Sequence, residues 1–315
     1  MKPFRKNIAI AVDGGGIRGV IVTRALSLLE GYLGRPVHDI FRLCAGTSTG
    51  SIIAAGIGSG LTATRMHQLY VNLGKTIFKK TWRTFFWPLT RYRFPHDPLS
   101  KVLLEQIGDK KMGDFWTVNP PTDVVITTFD LLANKTLFIK PWKREYKYWP
   151  VIRAVLASSS IPTYFPVVAG RYVDGGMGSY ANPCYIAAYE AQFCLKWNPQ
   201  ETTLISLGTG RDPRTIKPWQ PERFMAWEWL NPALDAFLVS AGDQQVHLVD
   251  TFFPNLDFRR FQVDLKEHYP LDDPRQIPNL ELYGEQMGSM ILADQYDQSI
   301  GIKPELPSTK RVVPI

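Results

Sequence analysis

The segment NIAIAVDGGGIRGV, residues 7–20, constrains this chain more than any other. A six-residue, largely apolar run leads into a loop in which four of the six positions 14–19 are glycine. A stretch with apolar residues at helical spacing, 19–33, follows and stops at Gly34. A buried strand, a bare loop and a helix in that order open an α/β fold with a parallel sheet. Glycine leaves the loop's N–H groups uncovered, so the turn can hold an anion against backbone. Gly14, Gly16 and Gly19 also fit G-x-G-x-x-G, the dinucleotide pattern, which by itself is weak.

The pattern continues along the chain. FRLCAG (41–46) is a second short apolar run, and STGSIIAAGIG (48–58) reads as a buried helix. DVVITTFD (123–130) and KTLFIK (135–140) read as strands joined by a turn at Ala133-Asn134. Helices are expected at 150–159, 183–195, 221–253 and 279–300, and strands at RYVDGG (171–176), TTLISLGTG (202–210) and FRRFQVDL (258–265). No repeat, low-complexity tract or linker divides the 315 residues, so a single domain over 7–300 with a tail at 301–315 is expected.

Gly46-Thr47-Ser48-Thr49-Gly50 forms G-x-S-x-G between an apolar run and a predicted helix. A serine on so sharp a turn sits in strained backbone, needs small flanking residues, and points its hydroxyl at a helix N-terminus. A glycine-rich turn without chemistry fits the same five residues. A serine nucleophile needs a base. None of His38, His67, His96, His247 and His268 follows a predicted strand in a glycine-rich context, and each reads as a surface or packing residue. Asp174 ends a predicted strand and is followed by Gly175 and Gly176, which permit close approach of another backbone; an ordinary Asp-Gly turn is the alternative.

DGGGIRG, GTSTG and DGG, in this order and each after a strand, resemble the motifs of the patatin-like phospholipase family. The resemblance extends through ASSSIPTYFP (157–166), SLGTG (206–210) and LDDPRQIPNLELYGEQM (271–287), about residues 7–290 in all. It implies a three-layer fold, a mostly parallel central sheet with helices on both faces. It also implies a lipid acyl hydrolase without cofactor or metal, acting through a serine–aspartate dyad. Carried over, Ser48 is the nucleophile and Asp174 the general base, and Gly14, Gly15 and Gly16 form the oxyanion hole. Gly19, Gly46, Gly50, Gly175 and Gly176 support the motifs. For Arg18 a loop-holding role is favoured over steering of a phosphate head group. Two other classes compete: a nucleotide-binding oxidoreductase using the glycine loop, and a membrane-binding protein without catalysis. The first leaves GTSTG and DGG unexplained, and the second requires a broken dyad.

Thirty-six Lys and Arg against 29 Asp and Glu give a net charge of +7, which favours an anionic partner; the family resemblance makes it a membrane surface rather than nucleic acid. No signal peptide or membrane span is visible, so a cytoplasmic or peripheral-membrane location is expected. In TIFKKTWRTFFWPLTRYRF (76–94), Phe78, Trp82, Phe85 and Phe86 share one face of a predicted helix, with Lys79, Lys80 and Arg83 off it and Pro88 ending it. That is either an interfacial anchor or a core-facing helix. Trp219, Phe224, Met225, Trp227 and Trp229 either line an acyl channel or fill a core beneath it. Cys44, Cys184 and Cys194 form no metal or disulfide pattern and read as buried thiols.

Overall fold

The computed structural model describes residues 1–213, 216–225 and 228–299. Among them seven strands form one sheet: β1 (Asn7–Val12), β2 (Leu43–Gly46), β3 (Asp123–Asp130), β4 (Lys135–Ile139), β5 (Tyr172–Asp174), β6 (Thr202–Leu207) and β7 (Asp257–Phe261). The order is β4-β3-β2-β1-β6-β7, with β5 paired to β3 off this path. The five strands from β3 to β7 along this path are parallel, and β4 and β5 run antiparallel to β3.

Helices cover both faces, as expected. The longer ones are α1 (Gly19–Leu33), α2 (Thr49–Gly58), α3 (Ala63–Ile77), α4 (Asp97–Ile107), α5 (Val151–Ser158), α6 (Cys184–Tyr189), α7 (Leu230–Phe252) and α8 (Ile277–Leu292). The strands sort their side chains by parity. Ile10, Val12, Cys44, Val124, Ile126, Ile205 and Leu207 join the core beneath α1, α2 and α8. Ala9, Ala11, Leu43, Ala45, Val125 and Leu204 join the core shared with α6 and α7. Both faces are buried, which is why these strands read as continuous apolar runs. α1 stops at Gly34, whose φ of 62° supplies the left-handed cap.

Three expectations change. Residues 76–94 are not one helix: α3 ends at Ile77, and two single turns, Trp82–Phe85 and Trp87–Thr90, follow. Phe78 turns inward against Phe94 and Phe165, whereas Trp82, Phe85, Phe86 and Leu89 are 62%, 77%, 57% and 84% exposed. A stretch this short of intrahelical hydrogen bonds cannot hold all four aromatics on one stripe. Cys194 is exposed, unlike Cys44 and Cys184. It ends a π-turn, Glu190–Cys194, whose wider winding shifts it from the core-facing stripe of α6. The helix expected over 221–253 is confined to α7, preceded by a 3₁₀ turn at Pro221–Arg223. Trp227 and the 301–315 tail lie outside the described residues.

Candidate active site

The register of β3 explains why two distant motifs meet. β2 runs along one edge of β3 and ends with Gly46 opposite Ile126. β4 occupies the other edge. β5 pairs with β3 on the β2 edge but in the opposite direction, and ends with Asp174 opposite Thr128. The C-terminal ends of β2 and β5 therefore converge, two β3 residues apart; Ser48 lies just beyond the first and Asp174 ends the second.

After β2 the chain turns through Ser48, whose φ of 53° and ψ of −123° are strained for any residue with a side chain. The surroundings hold that strain at both ends. The Ser48 N–H donates to Ser158 Oγ at 2.9 Å, and its carbonyl accepts from Ser51 N–H at 2.9 Å and Ser51 Oγ at 2.6 Å. A Cβ at Gly46 would strike the Gly50 carbonyl, and one at Gly50 would strike the Val12 carbonyl, so neither flank tolerates a side chain. Ser48 is buried at the N-terminus of α2.

Asp174 is also buried. Its Oδ1 accepts the Gly176 N–H at 2.8 Å, while Oδ2 has no hydrogen-bond partner among the described residues. Burial pushes its carboxyl up to about 6, opposed by the Gly176 N–H and then by the neighbouring Ser48 hydroxyl. A Cβ at Gly175 would collide with Thr127, so this turn too needs bare backbone. The result is a buried carboxyl raised to about 6 beside a strained serine.

The glycine loop lies against the same serine. A Cβ on Gly14 would stand 3.2 Å from Ser48 Cβ, and one on Gly15 would run into the Thr209 side chain. Gly16 has φ +56°. The expectation of three oxyanion donors narrows here: the Gly14 N–H donates to the Ala181 carbonyl at 2.9 Å and is occupied. The Gly15 and Gly16 N–H groups donate to no acceptor among the described residues.

Arg18 ties the end of the glycine loop to two other segments. Its Nε donates to the Tyr269 carbonyl at 2.9 Å, and Nη2 reaches Asp212 at 2.8 and 2.9 Å. Sequence reasoning missed a second clamp. Arg260 on β7 makes a two-pronged pair with Asp13, 2.9 and 2.6 Å, at the loop's entrance. Asp13 was in plain view in VDGGG, but nothing near Arg260 in sequence links the two. Gly19, expected to support the motif, sits where a Cβ would meet Thr49 and Tyr70.

Ser48 opens onto an apolar cavity between α2, α3, α4 and the 161–165 turn. Ile52, Ile53, Met66, Ile77, Phe78, Leu103 and Phe165 are among its walls. Trp219, Phe224, Met225 and Trp229 are not among them: Trp219, Met225 and Trp229 are exposed, and Phe224 packs edge-on against Trp229. Much of the cavity's apolar wall comes from α3 and α4, helices that carry no motif.

No histidine hydrogen-bonds Ser48 among the described residues. His67 pairs with Glu281 at 2.9 Å, His38 lies near Asp39, and His268 near Asp212. His96 is stacked on Phe165, a cavity wall, and lies 3.1 Å from Ser160 Oγ. Burial pushes its pKa down.

A strained serine elbow on an α/β sheet, with a carboxylate beside it and an apolar cavity below, defines a serine-hydrolase class of site. The family model for patatin-like phospholipase matches residues 10–188, and the chain belongs to that family. It is 27% identical over 306 residues to human calcium-independent phospholipase A2-gamma, covering 87% of this chain and 37% of that protein. It is 25% identical over 265 residues to patatin-1-Kuras 2 of Solanum tuberosum, covering 70% and 68%. The chain thus spans little more than a third of the phospholipase A2-gamma length. Among solved structures, VipD from Legionella pneumophila superposes with a TM-score of 0.50 at 11% identity, over 93% of this chain and 67% of that one, a likeness of fold.

Proposed function

We propose that this chain is a lipid acyl hydrolase in which Ser48 attacks the ester carbonyl and Asp174 acts as general base. The observation that carries the reading is the unpartnered Oδ2 of a buried carboxyl, raised to about 6, beside a serine held at φ 53°. Asp174 takes the Ser48 Oγ proton as Oγ bonds to the carbonyl carbon. The tetrahedral oxyanion faces the free Gly15 and Gly16 N–H groups, with the N-terminus of α2 adding its dipole. Collapse breaks the bond to the alcohol, which receives the proton from Asp174. Water, activated by the same carboxylate, then releases the fatty acid from Ser48. The cavity walls suit an acyl chain. This sequence of steps requires no cofactor or metal.

The substrate is a phospholipid or another acyl-ester lipid, met at a membrane surface. Trp82, Phe85, Phe86 and Leu89 form an exposed apolar patch beside Lys79, Lys80 and Arg83, continuous in sequence with Phe78 in the cavity wall. Such a patch inserts into the acyl boundary while its cations meet head groups. No described helix is long and apolar enough to cross a membrane. The catalytic unit spans 7–300, and the protein acts in the cytoplasm or at a membrane face, without nucleic acid. The dinucleotide alternative has little support, because the loop that would cradle a pyrophosphate is packed against Ser48 and Thr209.

A fluorophosphonate probe tests the assignment. It should label the tryptic peptide containing Ser48 in the wild type and not in Ser48→Ala, whose ester hydrolysis should be lost. Labelling at another serine, or hydrolysis surviving the substitution, would refute the nucleophile.

A further inference from the structure

Three consecutive serines, Ser158, Ser159 and Ser160, close α5 and lead toward β5. The outer two have visible work. Ser158 Oγ accepts the Ser48 N–H at 2.9 Å. Ser160 Oγ donates to the Leu156 carbonyl at 2.7 Å, and its own carbonyl accepts the Asp174 N–H at 3.1 Å. The segment is thus tied to the nucleophile on one side and to the carboxylate on the other. Ser159, between them, is 6% exposed, and its Oγ has no hydrogen-bond partner among the described residues. It lines the same cavity as Ser48. A buried hydroxyl without a partner destabilises the fold, and alanine would fill this space without that cost.

We propose that Ser159 Oγ–H hydrogen-bonds the substrate ester at its alkoxy oxygen, a contact that rests on the Ser48–Asp174 reading above. The carbonyl oxygen has the free Gly15 and Gly16 N–H groups of another element to turn to. Ser159 belongs instead to the connection that carries Asp174, the group that must deliver a proton to the leaving oxygen. When the acyl C–O bond breaks, its electron pair goes to the alkoxy oxygen, and the proton taken from Ser48 moves there from Asp174. Ser159 keeps its own proton. Its hydroxyl orients the ester and steadies charge on the departing oxygen.

Sulfur accepts hydrogen bonds poorly, so a thioester has little to gain from this hydroxyl. The test compares wild type and Ser159→Ala, in the full chain, on an oxygen ester and a thioester of the same acyl group. The variant should lose about 10- to 100-fold in kcat/KM on the oxygen ester, the scale of one substrate hydrogen bond. On the thioester it should lose less than about threefold. Its Tm should be unchanged or higher, because an unsatisfied polar group has been removed. Equal losses on both substrates, or full activity on the oxygen ester, would overturn the proposal, as would a fall in Tm that tracks the loss. A wild type that hydrolyses neither ester would overturn the hydrolase reading and this contact with it. Wild-type turnover with an indifferent Ser159→Ala removes this contact alone.

Discussion

Replacing Asp174 by asparagine should abolish hydrolysis and stabilise the protein, with both effects set by one quantity. Burial lifts the Asp174 carboxyl from 3.8 to about 6. Well below 3.8 the folded and unfolded chains both hold this proton, and the site costs nothing. Between about 4 and 6 the folded chain keeps a proton that the unfolded chain has lost, so folding stability falls as pH rises through that window. Above about 6 the cost is complete. Two pKa units at 1.36 kcal/mol each make it about 3 kcal/mol. The amide of Asp174→Asn would be neutral at every pH, and its oxygen can still accept the Gly176 N–H now bound at 2.8 Å. Urea unfolding of both proteins from pH 3 to 8 should show almost no gap at pH 3 and a gap of about 3 kcal/mol in favour of the variant at pH 7. The wild-type kcat/KM should fall about tenfold per pH unit below about 6, because only the carboxylate accepts the Ser48 proton. A stability gap independent of pH, or a variant less stable at pH 7, would show that the carboxyl is not held near 6 by burial.

Gly15→Ala drives a methyl into the Thr209 side chain and should displace the loop from the oxyanion. Steady-state kinetics should show kcat down by about 10²–10³ with KM little changed, and a loss confined to KM would place the loop in ground-state binding instead. Replacing Trp82, Phe85 and Phe86 together by Ser should abolish sedimentation with anionic vesicles while leaving Tm and turnover of a soluble short-chain ester unchanged. Phe78→Ala should lower Tm, since that ring packs against Phe94 and Phe165. A triple variant that melts early would mean that the patch is covered by protein rather than by lipid.

What the sequence made legible was whatever is encoded locally. The Gly19–Leu33 helix and the Asp123–Asp130 strand fall where periodicity and apolar runs predict them. The elbow was readable because Gly46 and Gly50 are forced by steric contacts within a few residues and with β1. The cavity was not. α3 and α4 line it with residues whose pattern is that of any amphipathic helix, and only tertiary packing turns their apolar face toward Ser48. The occupied Gly14 N–H was equally hidden, because its acceptor, Ala181, lies in another turn and glycine spacing says nothing of direction. The aromatics at 76–94 were legible in composition but not in shape, since apolar side chains cluster in sequence for cores and for membranes alike.

The site's central geometry follows from a short strand running the wrong way. A parallel strand in the place of β5 would carry its C-terminal turn away from Gly46. β5 is antiparallel and three residues long, so it reaches β3 just past the point where β2 stops, and the two C-terminal turns face each other. The placing of Asp174 beside Ser48 therefore depends on β3 outrunning β2, from Thr127 onward, to leave an edge for β5. Thr127 and Thr128 sit at that junction. Thr127 Oγ1 bonds Thr47 Oγ1 at 2.7 Å, beside Ser48, and Thr128 Oγ1 donates to the Val173 carbonyl at 2.7 Å, beside Asp174. Each hydroxyl locks one motif to the common strand. Asp174 and Ser48, 126 positions apart in sequence, are thereby positioned by two adjacent threonines that belong to neither motif.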